Sequence, residues 1–380
     1  MTQIIKKRKE TFYSGVMEIR ATGAVLSVLV SGSEARFFDR SGRFFAAWEG
    51  GWFISFGLTG RGIARRWREG RREIRALKPT EIRDLETNAK TVLRAAYASA
   101  ATEDKLWFGR ALTFDRAQDI DRCRSVYQPV GILPPDHYHA CLVQVTEGCA
   151  WNQCRFCSFY RRQKFHVKDR HELNEHIHRV AAFFGEGLSL RRSIFLGEAN
   201  ALAAPLETLV SAMDLAHKKL IPLMPSFRGF YSFSEGSPDS CHVLAEFRTL
   251  ARLGLKRVYY GLETGQEDLR HKLGKPGTLE SMEESIRNAK AAGVSVGIIL
   301  LAGAGGKTWA DRHRKQSIRW IQRLPVETSD LVFISPLYGN DGVSGTALTE
   351  KEMFNQIADL RQALSPHVRV APYDIREFFY

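Results

Sequence analysis

Three cysteines, Cys149, Cys154 and Cys157, fall within one short string, Thr-Glu-Gly-Cys-Ala-Trp-Asn-Gln-Cys-Arg-Phe-Cys. The other cysteines, Cys123, Cys141 and Cys241, are dispersed, so the six do not form a disulfide framework. Clustering of this kind points to metal binding. Thiolates are the usual protein ligands of a [4Fe–4S] cube. Three of them occupy three corners and leave the fourth iron open to a small molecule, as in any catalytic metal site. A zinc site needs a fourth ligand, for which His166 and Cys141 are the nearest candidates, and a zinc ribbon shows a second CxxC pair that this chain lacks. A cluster that only transfers electrons is the remaining alternative.

The elements around the triplet say where such a site stands. From Tyr138 onward, short apolar runs at 139–146, 193–197, 226–233, 257–263, 294–301 and 331–338 alternate with helical stretches at 171–184, 205–219, 241–253, 279–292, 309–323 and 350–364. Regular alternation with β-branched strands predicts a parallel sheet covered by helices. Six repeats fall short of the eight of a closed barrel, so the fold expected is α/β, a partial (β/α)6 TIM-like barrel. The cysteines follow the first strand, at the end where such barrels carry their chemistry.

Glycine-punctuated strands between 15 and 56 predict a small N-terminal mainly-β module, with Phe37, Phe38, Phe44, Phe45, Trp48, Trp52 and Phe53 as its core. A helix over 81–97 follows, with Thr80 as N-cap, and then a polar, proline-containing connector. The division expected is a module at 1–78, helix and connector at 79–135, the barrel at 136–345 and a C-terminal extension at 346–380. The aromatic C-terminus from Pro372 to Tyr380 is expected to pack on the barrel.

The cysteine loop resembles that of the radical S-adenosylmethionine (SAM) superfamily, whose usual pattern is CxxxCxxC with an aromatic before the last cysteine. Phe156 matches that aromatic, which in the family lies near the adenine. The spacing here is CxxxxCxxC, one residue longer, and GCAWNQCRFC is similar to a sub-group with Gly-Cys-Pro-Trp-Asn-x-Cys-x-Phe-Cys. Gly197-Glu198 is similar to the family's Gly-Gly-Glu element, which binds the SAM ammonium. The string Tyr260-Gly261-Leu262-Glu263-Thr264-Gly265 resembles another strand end of the family and implies contact of Glu263 with the ribose. Gly303, in Leu-Ala-Gly-Ala-Gly-Gly, lets backbone approach the adenosyl group, and Arg228 is a candidate contact for the SAM carboxylate or the substrate. Each has a plainer reading: a helix-terminal acid, a turn glycine or a surface cation.

The resemblance covers roughly residues 138–340, and residues 1–130 match no family. It implies an enzyme that holds a [4Fe–4S] cluster and SAM, cleaves SAM reductively and directs a 5′-deoxyadenosyl radical at an unidentified substrate. A low-potential electron donor of flavodoxin or ferredoxin type is the implied partner. No second cysteine cluster and no cobalamin-domain pattern is visible.

The 380 residues carry a formal net charge of +13. Much of the excess lies in Arg61, Arg65, Arg66, Arg68, Arg71, Arg72, Arg75 and Lys78, which read as a solvated helix or as a track for a nucleic-acid backbone. This keeps open an RNA-modifying enzyme recruited through its basic N-terminal region, and a non-catalytic Fe–S or zinc protein stands as the other alternative. The basic N-terminus leads into no apolar segment and the longest apolar run, 294–303, is too short to span a bilayer, so a cytoplasmic location is expected.

Overall fold

The computed structural model describes residues 17–32, 34–69, 71–237, 242–339, 341–343 and 345–380. The basic N-terminus and Cys241 lie outside the described residues.

Seven antiparallel strands form the N-terminal sheet in sequence order: β1 (Glu18–Ala21), β2 (Val25–Ser31), β3 (Glu34–Asp39), β4 (Phe44–Glu49), β5 (Trp52–Phe56), β6 (Gly62–Arg68) and β7 (Arg71–Ala76). The basic run is therefore a hairpin, β6–β7, and not a helix. Much of its charge has partners: Arg65 and Arg72 pair with Glu377, Arg66 with Glu73 and Arg75 with Glu81. Of the aromatics expected inside, Phe38 and Phe44 are buried, whereas Trp48 is 42% exposed.

Helix α1 (Pro79–Tyr97) starts two residues before the expected body, with Lys78 and not Thr80 at the N-cap. Proline suits the first helical position because its missing N–H is unpaired there anyway, and the Glu81 carboxylate accepts from the Lys78 amide. The stretch expected as connector holds α2 (Lys105–Thr113) and α3 (Arg116–Val126). Helices α1 and α2 share one apolar core with the β module, including Leu26, Phe38, Leu93 and Phe108. Arg43 joins the module to the barrel. Its guanidinium, 6% exposed, donates twice to Asp119 at 2.8 Å and once to the Phe183 carbonyl at 2.6 Å. A bidentate charge-assisted pair is strong and fixes geometry.

The barrel sheet is parallel. Its strands are β8 (Cys141–Gln144), β11 (Ile194–Gly197), β12 (Phe230–Ser234), β13 (Leu255–Glu263), β14 (Ser295–Ala302), β15 (Leu331–Pro336) and β16 (Arg369–Pro372), paired in that order. Short β9 (Thr146–Glu147) and β10 (His166–Val167) pair antiparallel and flank the cysteine loop. The helices over the sheet are α4 (Arg170–Phe184), α5 (Leu206–Lys219), α6 (Leu244–Arg252), α7 (Glu267–Lys272), α8 (Leu279–Ala291), α9 (Gly306–Gln322) and α10 (Glu350–Leu364).

All six expected strands are present, and β16 adds a seventh from within the C-terminal extension. Beyond it, the tail reaches the opposite edge of the sheet. There the Tyr380 hydroxyl accepts from the Leu142 amide at 2.9 Å and Tyr127 donates to the Leu142 carbonyl at 3.0 Å. Side chains thus satisfy an edge that would otherwise invite another strand. Among the described residues no helix is long and apolar enough to cross a membrane.

Candidate active site at the carboxyl ends of the barrel strands

Strand β8 is buried throughout and delivers the chain through β9 into the cysteine loop. Two features explain how a loop one residue longer is accommodated. Asn152 adopts a left-handed backbone, φ 49°, which asparagine tolerates better than most residues, and its amide side chain donates to the Tyr160 carbonyl at 2.9 Å. Trp151 donates from its ring nitrogen to the Gly274 carbonyl at 2.6 Å, and the Arg155 amide donates to the Leu273 carbonyl at 2.9 Å. The loop is therefore strapped to the segment after α7. Arg161 closes the other side, donating to the Cys154 and Cys157 carbonyls at 2.8 and 3.0 Å.

The three thiols are half-buried and act on one another electrostatically. Burial raises all three, Cys154 to about 11, with Lys275 opposing the shift. Among the described residues no three His, Cys, Asp or Glu side chains converge tightly enough to hold a single ion. Neither expected fourth zinc ligand serves. His166 is engaged with Glu172 at 2.9 Å, and Cys141 is fully buried in β8.

Glu198 follows β11 after a cis peptide bond with Gly197. The residue is 3% exposed, and neither carboxylate oxygen has a hydrogen-bond partner among the described residues. Burial pushes this acid up to about 8; Gln144 and the Gly148 amide oppose the shift but stand outside hydrogen-bond geometry. An orphaned buried carboxylate is costly unless a donor arrives, and an amine is a fitting donor. Burial, and after it the charges of Glu198, Cys157 and Cys149, holds the Tyr160 hydroxyl well above its ordinary value.

Glu263 ends β13 with φ 61°, and its Oε1 lies 3.4 Å from the Lys275 ammonium. Burial works against that ammonium, but Cys154 and Glu263 outweigh it and hold Lys275 above its ordinary value. Phe156 packs with Leu301 and Ala304, which flank Gly303. Gly303 itself has φ 90°, a conformation that favours glycine, and borders a cavity of about 250 Å³ with Leu337 and Met353.

Thus Cys149, Cys154, Cys157, Phe156, Gly197, Glu198, Glu263 and Gly303 all stand at the carboxyl ends of the barrel strands. Arg228 does not. It precedes β12, where its amide donates to the Arg192 carbonyl at 2.7 Å, at the opposite end of the sheet. A strand is expected from residue 226, but parallel ladder pairing starts only at Phe230, so Arg228 stands away from the cysteine loop and the expected contact with the SAM carboxylate is not met. Lys275, Trp151 and Arg161 were not singled out as site residues. Lys275 lies in a Gly-Lys-Pro-Gly turn that reads from sequence as a plain loop.

A family model described as the Radical SAM superfamily matches residues 143–321. No curated protein matches the chain. Among solved structures, the chain is similar to coproporphyrinogen III oxidase (HemN) from Escherichia coli, with 12% identity over 56% of this chain and 49% of that one, TM-score 0.44. It is also similar to the radical SAM methyltransferase TsrM from Kitasatospora setae, 15% identical over 52% of this chain and 36% of that one, TM-score 0.38. A radical SAM methyltransferase from Sphaerobacter thermophilus is 14% identical over 76% and 89%, TM-score 0.42. The chain thus spans about half the length of the first of these and about a third of the second. Likeness at this level carries no argument about substrate. Residues 143–321, which hold the cysteine triplet, Glu198 and Glu263, form a domain of the radical SAM superfamily, whose enzymes use a [4Fe–4S] cluster and SAM.

Proposed function

We propose that this protein is an enzyme that cleaves SAM reductively at a [4Fe–4S] cluster held by Cys149, Cys154 and Cys157, and turns the resulting radical on a substrate still to be identified. The observation that carries the reading is the buried Glu198 carboxylate, without a hydrogen-bond partner among the described residues, at the same carboxyl end of the sheet as the cysteine triplet. When bound, the cluster and SAM supply one electron and a 5′-deoxyadenosyl radical, chemistry that belongs to the cofactors and not to side chains.

The chain's own residues bind, orient and exclude water. Glu198 would accept hydrogen bonds from the SAM amine, against only the poorly aligned Gln144 and Gly148 donors. Glu263, on the neighbouring side, receives the ribose hydroxyls, while Lys275 neutralises it and stands ready for the SAM carboxylate in the place once expected of Arg228. Phe156 offers an apolar face for the adenine. The aromatic layer of Phe195, Phe233, Tyr259 and Phe333 fills the barrel below and keeps water from reaching the site from that end. A low-potential electron-transfer protein is the partner this chemistry requires.

The RNA-modifying alternative gains nothing from the basic hairpin, since Arg65, Arg66, Arg72 and Arg75 are engaged within the chain. The test is anaerobic reconstitution followed by iron and sulfide analysis and a dithionite assay for 5′-deoxyadenosine. Cys154→Ala should lose the cluster and all product, since two thiolates do not retain a cube. A reconstituted protein that binds SAM yet never yields 5′-deoxyadenosine would remove the catalytic reading.

A further inference from the structure

The opposite end of the barrel holds a second concave site. Residues before β8, β11 and β12 and at the start of β13 surround a cavity of about 470 Å³, with Phe45 of the β module as one wall. This volume lies within the range usual for small-molecule sites. The lining is strongly cationic. Arg192, Arg228 and Arg257 all contribute to it, against Asp136 as the one carboxylate. Asp136 is already used: it accepts from Arg257 at 3.1 Å and from the Tyr259 hydroxyl at 2.7 Å. Arg192 and Arg228 are exposed, and their guanidinium groups make no hydrogen bond or ion pair among the described residues.

The cavity also has an aromatic side. Tyr231, half-buried, packs closely on His137, with ring centroids 3.9 Å apart and planes inclined by 42°. His137 is fixed beneath it by a 3.0 Å hydrogen bond between Nδ1 and the Ser193 hydroxyl. Arg228 and Arg257 line the same cavity as Tyr231, and both act electrostatically on its hydroxyl. Phe45 faces the same space. Forked guanidinium groups with no carboxylate of their own match phosphate geometry, and rings fixed by packing receive a planar group with little ordering cost.

We propose that this cavity at the base of the barrel binds a small organic phosphate, its planar ring against Tyr231 and Phe45 and its phosphate held by Arg192 and Arg228. The site is separate from the cysteine loop, which lies at the other end of the strands. A ligand here touches both the barrel and the β module, so it joins the two parts of the chain.

The test is calorimetric titration of the reconstituted full chain with GMP, with saturating S-adenosylhomocysteine present to occupy the upper site. Guanosine and inorganic phosphate, each lacking half of the recognised chemistry, are expected to bind at least tenfold more weakly than GMP. Arg228→Ala and Arg192→Ala are each expected to weaken GMP at least tenfold. Tyr231→Leu should do the same while Tyr231→Phe retains affinity, and Glu198→Gln, at the far end, should leave GMP affinity unchanged. Both arginines are exposed, so their variants should melt as the parent does. Absence of GMP binding at millimolar concentration overturns the proposal, as does binding indifferent to both arginine variants. Phosphate binding as tightly as GMP removes the ring from the assignment, and displacement of GMP by tRNA replaces the small ligand with RNA.

Discussion

Glu198→Gln separates the cost of the candidate site from its use. Burial raises the Glu198 carboxyl from its ordinary 4.5 to about 8. An acid raised in the folded state holds its proton there while the unfolded chain has released it, so stability is full below pH 4.5 and is lost as pH rises toward 8. At 1.36 kcal/mol per pH unit the loss reaches about 3 kcal/mol by pH 7 and about 5 kcal/mol beyond pH 8, as an order of magnitude. Glutamine has the same shape and no charge to bury, but its amide also needs partners, which offsets about 1–3 kcal/mol of the gain. Urea unfolding of the cluster-free protein at pH 5 and pH 8.5 reads this directly. The variant should match or trail the parent at pH 5 and exceed it by roughly 2 kcal/mol at pH 8.5. In the reconstituted protein the same change should weaken SAM about 10- to 100-fold, the worth of a charge-assisted hydrogen bond. Equal pH dependence in parent and variant would refute the desolvated carboxylate, and unchanged SAM affinity would refute its role.

Trp151→Phe keeps the ring but removes the 2.6 Å bond to the Gly274 carbonyl; the reconstituted variant should surrender iron to a chelator several-fold faster, measured by absorbance decay. Lys275→Met removes a buried cation beside Cys154. Its cluster should be harder to reduce by about tenfold, 59 mV for one electron, in a spectroelectrochemical titration. Burial lowers His137 and His313 to about 4 and His176 to about 3, so each is neutral when folded. Stability present above pH 6.5 should therefore fall by about 1.4 kcal/mol per pH unit for each histidine as pH drops toward 4, read from urea midpoints.

The barrel was legible because short apolar runs alternate six times with amphipathic helices, and that regular alternation marks even four-residue strands such as β8 and β11. Strand β16 was not. Its four residues, Arg-Val-Ala-Pro, form no continuous apolar run, and they end in a proline, which reads from sequence as a strand stop. The basic hairpin was misread because charge density alone does not tell a strand from a helix, and because Glu377, which pairs with Arg65 and Arg72, lies far away in sequence. The cysteine loop and the two acids were legible through local strings. Lys275 was not, because what makes it part of the site is its approach to Glu263, twelve residues away across a turn.

These misses share a cause that also bears on the extra residue between Cys149 and Cys154. A longer loop has more conformations to lose on ordering, and Asn152, through its left-handed backbone and its bond to the Tyr160 carbonyl, offsets part of that cost from within. The structure offsets the rest from outside. The carbonyls of Leu273 and Gly274 hold one limb and Arg161 holds the other. The same short segment that receives Trp151 carries Lys275 one residue later, beside Glu263. Loop position and site charge are thus set by one turn, Gly274–Gly277, so a substitution that shifts the turn should disturb metal retention and SAM affinity together. Gly274 is the sharpest place to see it. Its φ is 73°, and an added Cβ would lie 2.8 Å from the Gln153 carbonyl oxygen, so even alanine there must push the cysteine loop aside.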